Sequence, residues 1–369
     1  VNYLKQIKTA VMRFFYRRIL EERVKKDIRA LSKEELQEFF VSQGAPSFKG
    51  GQVYQWLWQK GVHDFELMTN LSLTHRNLLD AHFEIKHINI DFQQRSTDGT
   101  IKNAVKLHDN LVVESVLIPT STRTTACVSS QVGCSLDCTF CATAALKRMR
   151  NLNADEIYDQ VVAMDQQSKL YHQRPLSNIV FMGMGEPLMN YNNVLAAIEK
   201  ITDTEALGMS PRRITLSTSG IPKLIRKMAD DKVKFGLAVS LHSARQEVRE
   251  RIMPFAKKFP LTELIESLEY WYAYTKKQIT FEYVVWEGVN DLKEDIQALV
   301  GLCRRIPSKV NIIQYNPIDG SSMKQGNQTV IDAYIAALTK ARISVTYRRS
   351  RGVDIDAACG QLANKIDVK

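Results

Sequence analysis

Hydrophobic positions divide the chain into three regimes. From Ser32 to about residue 85 apolar residues recur at helical spacing. Ser32-Lys33-Glu34-Glu35 has the Ser-x-x-Glu signature of a helix start, followed by a periodic run to Phe40. A Gly/Pro/Ser break covers residues 44–51, and Gln52-Val53-Tyr54-Gln55-Trp56-Leu57-Trp58 resumes the helical pattern. Residues 86–118 alternate apolar and polar (Ile88, Ile90, Phe92; Val105, Leu107), which predicts antiparallel strands turning at Asp98-Gly99. Beyond residue 125 short apolar runs occupy 125–129, 178–184, 213–217, 234–240, 278–285 and 309–314. Most of the intervals are helix-like; Asn153-Ala154-Asp155-Glu156 caps one that continues through Ile157, Val161 and Met164. Strands apolar on both faces that alternate with helices imply a parallel sheet covered by helices. The predicted class is therefore α/β: a full or partial TIM-like βα barrel of about six parallel strands, preceded by a small helical domain.

In a βα barrel, chemistry gathers at the C-terminal ends of the strands. The polar residues after the apolar runs are Gly185-Glu186, Ser217, Ser240 with His242, and Asn316; a group of cysteines follows the first run. Five strand ends thus present polar groups to one face. The expected divisions are a basic extension (1–23), an N-terminal helical domain (24–85), an antiparallel β linker (86–118), the barrel (119–345) and a C-terminal segment (346–369).

Composition narrows the function classes. The 369 residues are 44% hydrophobic and 24% charged, which fits neither a disordered chain nor a membrane protein, and no apolar run approaches the roughly 20 residues that span a bilayer. The net charge of +10 comes with basic clusters at Lys147-Arg148-Met149-Arg150, Arg212-Arg213, Lys257-Lys258, Arg304-Arg305 and Arg348-Arg349-Ser350-Arg351. Such a field attracts a nucleic acid, although charge alone fits solvated helix faces equally well. Residues 1–29 carry nine Lys/Arg against three acids but neither the apolar core nor the cleavage site of a signal peptide, so 1–23 reads as a helical extension or an over-long start.

Six cysteines are too few for a disulfide scaffold. Four, Cys127, Cys134, Cys138 and Cys141, fall within 15 residues, which points to a metal site in a reducing cytoplasm. Cys134-Ser-Leu-Asp-Cys138-Thr-Phe-Cys141 is a CxxxCxxC group of soft ligands suited to an iron–sulfur cluster or zinc. Structural zinc is usually closed by four ligands, whereas three on a cubane leave one iron open, and Phe140 would shield the site from water. Cys303, in an apolar helix-like run, reads as core.

This cysteine spacing at the first strand of a βα barrel resembles the radical S-adenosylmethionine (SAM) superfamily, and Phe181-Met-Gly-Met-Gly-Glu-Pro-Leu188 resembles its SAM-lining Gly-Glu-Pro segment. Cys127-Val-Ser-Ser-Gln-Val-Gly-Cys134, Ser217-Thr-Ser-Gly220, Ser240-Leu-His242, Tyr315-Asn-Pro317 and Arg351-Gly-Val-Asp-Ile-Asp-Ala-Ala-Cys-Gly-Gln-Leu362 are similar to the RNA adenine methyltransferases of that superfamily, nearest the dual-specificity C2 branch that acts on 23S rRNA and tRNA. The resemblance covers about residues 24–364. It implies a [4Fe–4S] cluster on Cys134, Cys138 and Cys141 and two SAM molecules per turnover. SAM contacts would come from Gly185, Glu186, Ser217, Ser240, Leu241, His242 and Asn316. Cys359 would be the methyl carrier, Cys127 the thiol that releases the product through a transient Cys127–Cys359 disulfide, and Glu114 the proton acceptor. It further implies a flavodoxin-like electron donor, an RNA-binding N-terminal domain, a monomer, and a cytoplasmic enzyme with no membrane partner.

One departure is visible. Ala142-Thr-Ala-Ala-Leu-Lys-Arg-Met-Arg-Asn-Leu152 lacks glycines common in the family after the third cysteine, which makes that loop stiffer and more basic. Gly352 and Gly360 flank the Cys359 segment and predict a mobile loop. Trp56 and Trp58 lie on an apolar helical stripe and read as core more readily than as base-stacking residues. Two other functions account for part of the pattern: adenine-C8 methylation by the same chemistry, disfavoured by Pro187, and a non-enzymatic metal-cluster RNA-binding module, which leaves Cys127, Cys359 and the strand-end polar set unexplained.

Overall fold

The computed structural model describes residues 25–364, so the basic extension expected at 1–23 lies outside the described residues. The described residues fall into two compact units, 25–86 and 87–364. In the first, α1 (Lys33–Ser42), α2 (Phe48–Trp58) and α3 (Leu73–His82) pack around Leu36, Phe40, Val53 and Leu79. The start of α1 is the capping box read from sequence: the Ser32 hydroxyl accepts from Glu35 N–H (3.1 Å), and the Glu35 carboxylate accepts from Ser32 N–H (2.7 Å). Trp58 is core, while Trp56 is half-buried, donating from Nε1 to Asn70 (2.6 Å) beneath Lys60.

The second unit is built on one ten-stranded sheet. Its strands are β1 (Asn89–Arg95), β2 (Ile101–Lys106), β3 (Val112–Pro119), β4 (Thr124–Cys127), β5 (Asn178–Phe181), β6 (Ile214–Thr218), β7 (Gly236–Ser240), β8 (Ile279–Val284), β9 (Ser308–Ile313) and β10 (Ser344–Arg348). β1 to β4 pair antiparallel and β4 to β10 parallel, in sequence order, leaving β1 and β10 as the two edges. The fold is thus a partial βα barrel. The residues 86–118 set apart as a linker are hydrogen-bonded into the barrel's own sheet. The parallel part has seven strands, one more than the apolar runs predict.

The packing follows from the pattern. Every residue of β8 is buried, as expected for a strand covered on both faces. β10 has no fully buried position and carries exposed Ser344 and Thr346, so it offers no apolar run to read. The helix predicted from Asn153 is α4 (Ala154–His172), which starts in a capping box closed by Glu156 on Asn153 N–H (2.8 Å). Cys303 is buried in a later helix, Lys293–Arg305. Among the described residues no helix is long and apolar enough to cross a membrane.

Candidate active site

A cavity of about 890 Å³ opens at the C-terminal ends of β4–β10. It is lined by Cys134, Cys138 and Cys141, by Gly185, Glu186, Ser217, Ser240, His242 and Asn316, and by both Cys127 and Cys359. Eleven residues scattered over more than two hundred positions therefore meet at one site. Leu241 and Glu114, also expected there, do not line it. Leu241 is fully buried beneath it, with its N–H donating to Glu282 O (3.1 Å). Glu114 lies on β3, where its carboxylate faces Lys102.

The three motif cysteines are free thiols set against Leu136, Met253, Val284 and Trp286. Burial pushes Cys134 up to about 11 and raises Cys138 and Cys141 as well. Three thiols that resist ionisation in an apolar wall suit a group that replaces their protons and spreads the charge. Among the described residues no trio of His, Cys, Asp or Glu is arranged to hold a single metal ion. Three soft thiol ligands on one loop suit a cluster that leaves one iron open. Phe140, His242, Trp286 and Tyr315 form a ring-on-ring screen beside the cysteines. Centroid separations are 4.7 Å for Phe140–His242, 5.1 Å for Phe140–Trp286 and 5.9 Å for Trp286–Tyr315.

The Gly-Glu-Pro loop is fixed by close approach. A Cβ on Gly183 would fall 2.6 Å from Ser129 Oγ, and Gly185 combines φ +92° with a Gln131 side chain 2.5 Å from where its Cβ would be. Gln131 Oε1 in turn accepts from Glu186 N–H (2.8 Å). The Glu186 carboxylate is buried, which raises its pKa, yet it accepts from Ser219 N–H (2.7 Å), Thr218 Oγ1 (2.7 Å) and Leu188 N–H (3.1 Å). Glu186 therefore ties the end of β5 to the end of β6.

His242 adopts a left-handed backbone (φ 55°) and is fully enclosed. Its Nδ1 accepts from Val284 N–H (3.2 Å), which leaves the proton on Nε2. Burial, helped by the Arg249 charge, lowers its pKa to about 3. Because this folded value lies below the unfolded value of about 6.5, its contribution is intact above pH 6.5 and drains as pH falls. Moving from pH 7 to pH 5 should cost about 2 kcal/mol through this residue. The Arg249 guanidinium is the facing charge; Phe140 and Trp286 supply apolar faces. Glu186 and Glu282, whose buried carboxyls titrate upward, work in the opposite sense. The contribution is therefore read by difference. His242→Asn tolerates the left-handed backbone and keeps an acceptor, so its denaturation midpoint should fall less than wild type's between pH 7 and 5.

Two arginines of the site were not picked out by the sequence. Arg249 is buried and donates to Ser219 O (2.6 Å) and Leu241 O (3.3 Å), tying β6 to β7. Arg348, placed by the sequence in an RNA-attracting cluster, ends β10 inside the cavity. Its pKa is raised chiefly by the Cys359 sulfur, with Glu282 and Cys127 adding to the effect. Arg150 is likewise committed internally, to Glu156 (2.7 Å) and Asp109 (2.6 Å). Only the apolar neighbourhood of Arg348 in the sequence, Val345 and Tyr347, hints at an inward position.

Cys127 is buried and its pKa is pushed up to about 12, by burial first and the Cys359 sulfur second. Cys359 is exposed on a segment fastened at several points. Asn316 Nδ2 donates to Cys359 O (3.2 Å), Ala142 N–H to Gly360 O (2.7 Å) and Thr143 Oγ1 to Leu362 O (2.7 Å). Upstream, Gly352 N–H donates to Asp98 (3.0 Å) and Ser96 Oγ to Asp354 (2.5 Å). The segment that the glycines predict to be mobile makes these hydrogen bonds on both sides of Cys359.

This barrel, with its three-cysteine loop and glycine-rich crossing, defines a radical SAM methyltransferase. The fold is similar to that of a radical SAM methyltransferase from Sphaerobacter thermophilus, at TM-score 0.86 and 35% identity over 91% of this chain and 99% of that one. The Radical SAM superfamily pattern matches residues 128–303, and that of the ribosomal RNA large subunit methyltransferase N-terminal domain matches residues 26–85. The chain is 66% identical over 341 residues to the probable dual-specificity RNA methyltransferase RlmN of Flavobacterium johnsoniae (92% of this chain, 98% of that one). It is 42% identical over 345 residues to the dual-specificity RNA methyltransferase RlmN of Geotalea uraniireducens (93% and 98%). The chain belongs to the RlmN family of dual-specificity RNA methyltransferases; it is a SAM-dependent enzyme that uses a [4Fe–4S] cluster.

Proposed function

We propose that this enzyme methylates C2 of an adenosine in 23S rRNA and in tRNA, with Cys359 as the methyl carrier. The observation that carries the reading is the meeting, in one cavity, of the three motif cysteines, the Gly-Glu-Pro loop and the two distant thiols Cys127 and Cys359. Adenine C2 is electron-poor and bears no acidic proton, so it cannot attack a methyl sulfonium directly. When bound, the cluster and SAM supply a 5′-deoxyadenosyl radical that overcomes this difficulty.

The chain's own residues do the rest. Cys134, Cys138 and Cys141 hold the cluster behind the aromatic screen, which keeps water from reactive species. Gly185, Glu186, Ser217, Ser240, His242 and Asn316 shape the SAM pocket. The Glu186 carboxylate, already accepting three hydrogen bonds, fixes the loop in that role. Cys359 accepts the methyl group and presents it to the base. Once the base has lost its C2 proton, Cys127 attacks the neighbouring Cys359 sulfur: the S–S bond forms as the S–CH2 bond breaks, the freed carbon takes up a proton to become the methyl group, and a cellular thiol reductant reopens the disulfide. Arg348 lines the cavity together with both sulfurs and supplies the positive charge beside them. The residue 24–85 domain holds folded RNA while the target base is extruded. A flavodoxin-like donor, a monomeric state and a cytoplasmic location complete the proposal.

The test is a nucleoside digest of 23S rRNA fragments and tRNA after reaction with methyl-labelled SAM and a reductant. Labelled 2-methyladenosine from both RNAs is expected. Labelled 8-methyladenosine would replace the C2 reading with C8, and no labelled nucleoside would remove it.

A further inference from the structure

The Cys359 segment is bracketed by a buried ion pair that the cavity does not use. Lys102 on β2 and Glu114 on β3 are diagonal neighbours in the antiparallel ladder, since Lys102 pairs with Val116 and Ala104 with Glu114. Their charged ends are 3.5 Å apart, with side chains only 3% and 1% exposed. Lys102 Nζ also reaches Asp356 O (3.5 Å), three residues before Cys359. Glu114 Oε2 accepts from Ala363 N–H (2.8 Å) and Asn364 N–H (3.2 Å), just beyond it. Asn364 Nδ2 adds a bond to Val112 O (2.7 Å) at the head of the same strand.

A buried ion pair is a poor source of stability, because desolvation offsets most of its attraction. Its hydrogen bonds to backbone amides, however, are directional and charge-assisted. Here they fall on both sides of one functional cysteine. Glu114 lines no part of the cavity; its Oε2 accepts from the two amides, while Oε1 faces Lys102 without a hydrogen bond.

We infer that Lys102 and Glu114 form a latch that sets the position of Cys359, and that Glu114 is a positioning residue, in place of the proton-acceptor role its sequence match implies. The consequence for catalysis rests on Cys359 being the methyl carrier; the latch itself does not. With the segment seated, the Cys359 carbonyl meets Asn316 and Gly360 meets the loop of the third motif cysteine, so the thiol stands at the cavity mouth in a fixed register.

The experiment compares full-length, iron-loaded Glu114→Gln and Ala363→Pro with wild type. Ala363→Pro deletes one amide donor and leaves the Lys102–Glu114 pair intact, which guards against misfolding of the buried variant. Amide hydrogen exchange across residues 355–362, followed by mass spectrometry without RNA, should rise on the order of tenfold in both variants. Exchange in β5–β9 and iron content should stay as in wild type. With SAM and RNA added, methyl loading of Cys359 should slow and no covalent protein–RNA adduct should build up. Unchanged exchange in both variants would overturn the latch whatever Cys359 does. Normal Cys359 methylation with accumulating adduct in Glu114→Gln would overturn the positioning role in favour of proton acceptance.

Discussion

Replacing Cys359 with alanine should lower RNA methylation by about 10⁴-fold or more, the scale expected when a sole nucleophile is removed. No other group in the cavity can take over its task. Cys127 is buried with its pKa pushed up to about 12, so it is a poorer methyl acceptor than the exposed Cys359. In the proposed reading the three motif cysteines hold the cluster. Mass spectrometry of the Cys359 peptide, from protein made with iron and SAM, should show one added methyl in wild type and none in the variant. Iron content should be equal in the two, because Cys134, Cys138 and Cys141 belong to a different loop. Persistent RNA methylation by Cys359→Ala would show that the methyl group never resides on this thiol.

The second large effect is expected at Cys127. Cys127→Ala should load methyl on Cys359 and transfer it, then stall with enzyme and RNA covalently joined. Such a species would appear as a retarded band on a denaturing gel approaching one RNA per enzyme, while steady-state product falls by about 10²-fold or more. Cys303→Ala is the control, since that thiol is buried in the helix Lys293–Arg305 and lines no part of the cavity. It should turn over as wild type. A Cys127→Ala enzyme that turns over freely would mean that another nucleophile releases the product.

Much of the barrel can be read from the chain because strands such as β8 are buried on both faces and leave a mostly apolar run, interrupted in β8 by Thr280 and Glu282. β10 escapes that reading because alternate positions face solvent and its last residue, Arg348, faces the cavity. The cysteine loop is legible because its three ligands lie within eight residues, so ligand chemistry is written as local spacing. The buried arginines are not: a guanidinium has the same appearance in sequence whether it meets water or two sulfurs. Glu114 illustrates the same limit at longer range. Its partners Ala363 and Asn364 are 249 and 250 positions away, and nothing in a strand's alternation announces a carboxylate reserved for distant amides. Resemblance supplied an expected role for it, and geometry its contacts.

The bonds from Gly352 and Asp354 to the Ser96–Asp98 turn have a mechanical meaning. The sheet never closes on itself: β10 ends one margin, and the β1–β2 turn belongs to the other. The chain leaving β10 crosses from the first margin to the second before it reaches Cys359, so it works as a tie rod across the mouth of an open ring. Its anchors at Gly352 and Asp354 hold the two margins at a fixed spacing on the open side of the sheet, a constraint that a continuous ladder would otherwise supply.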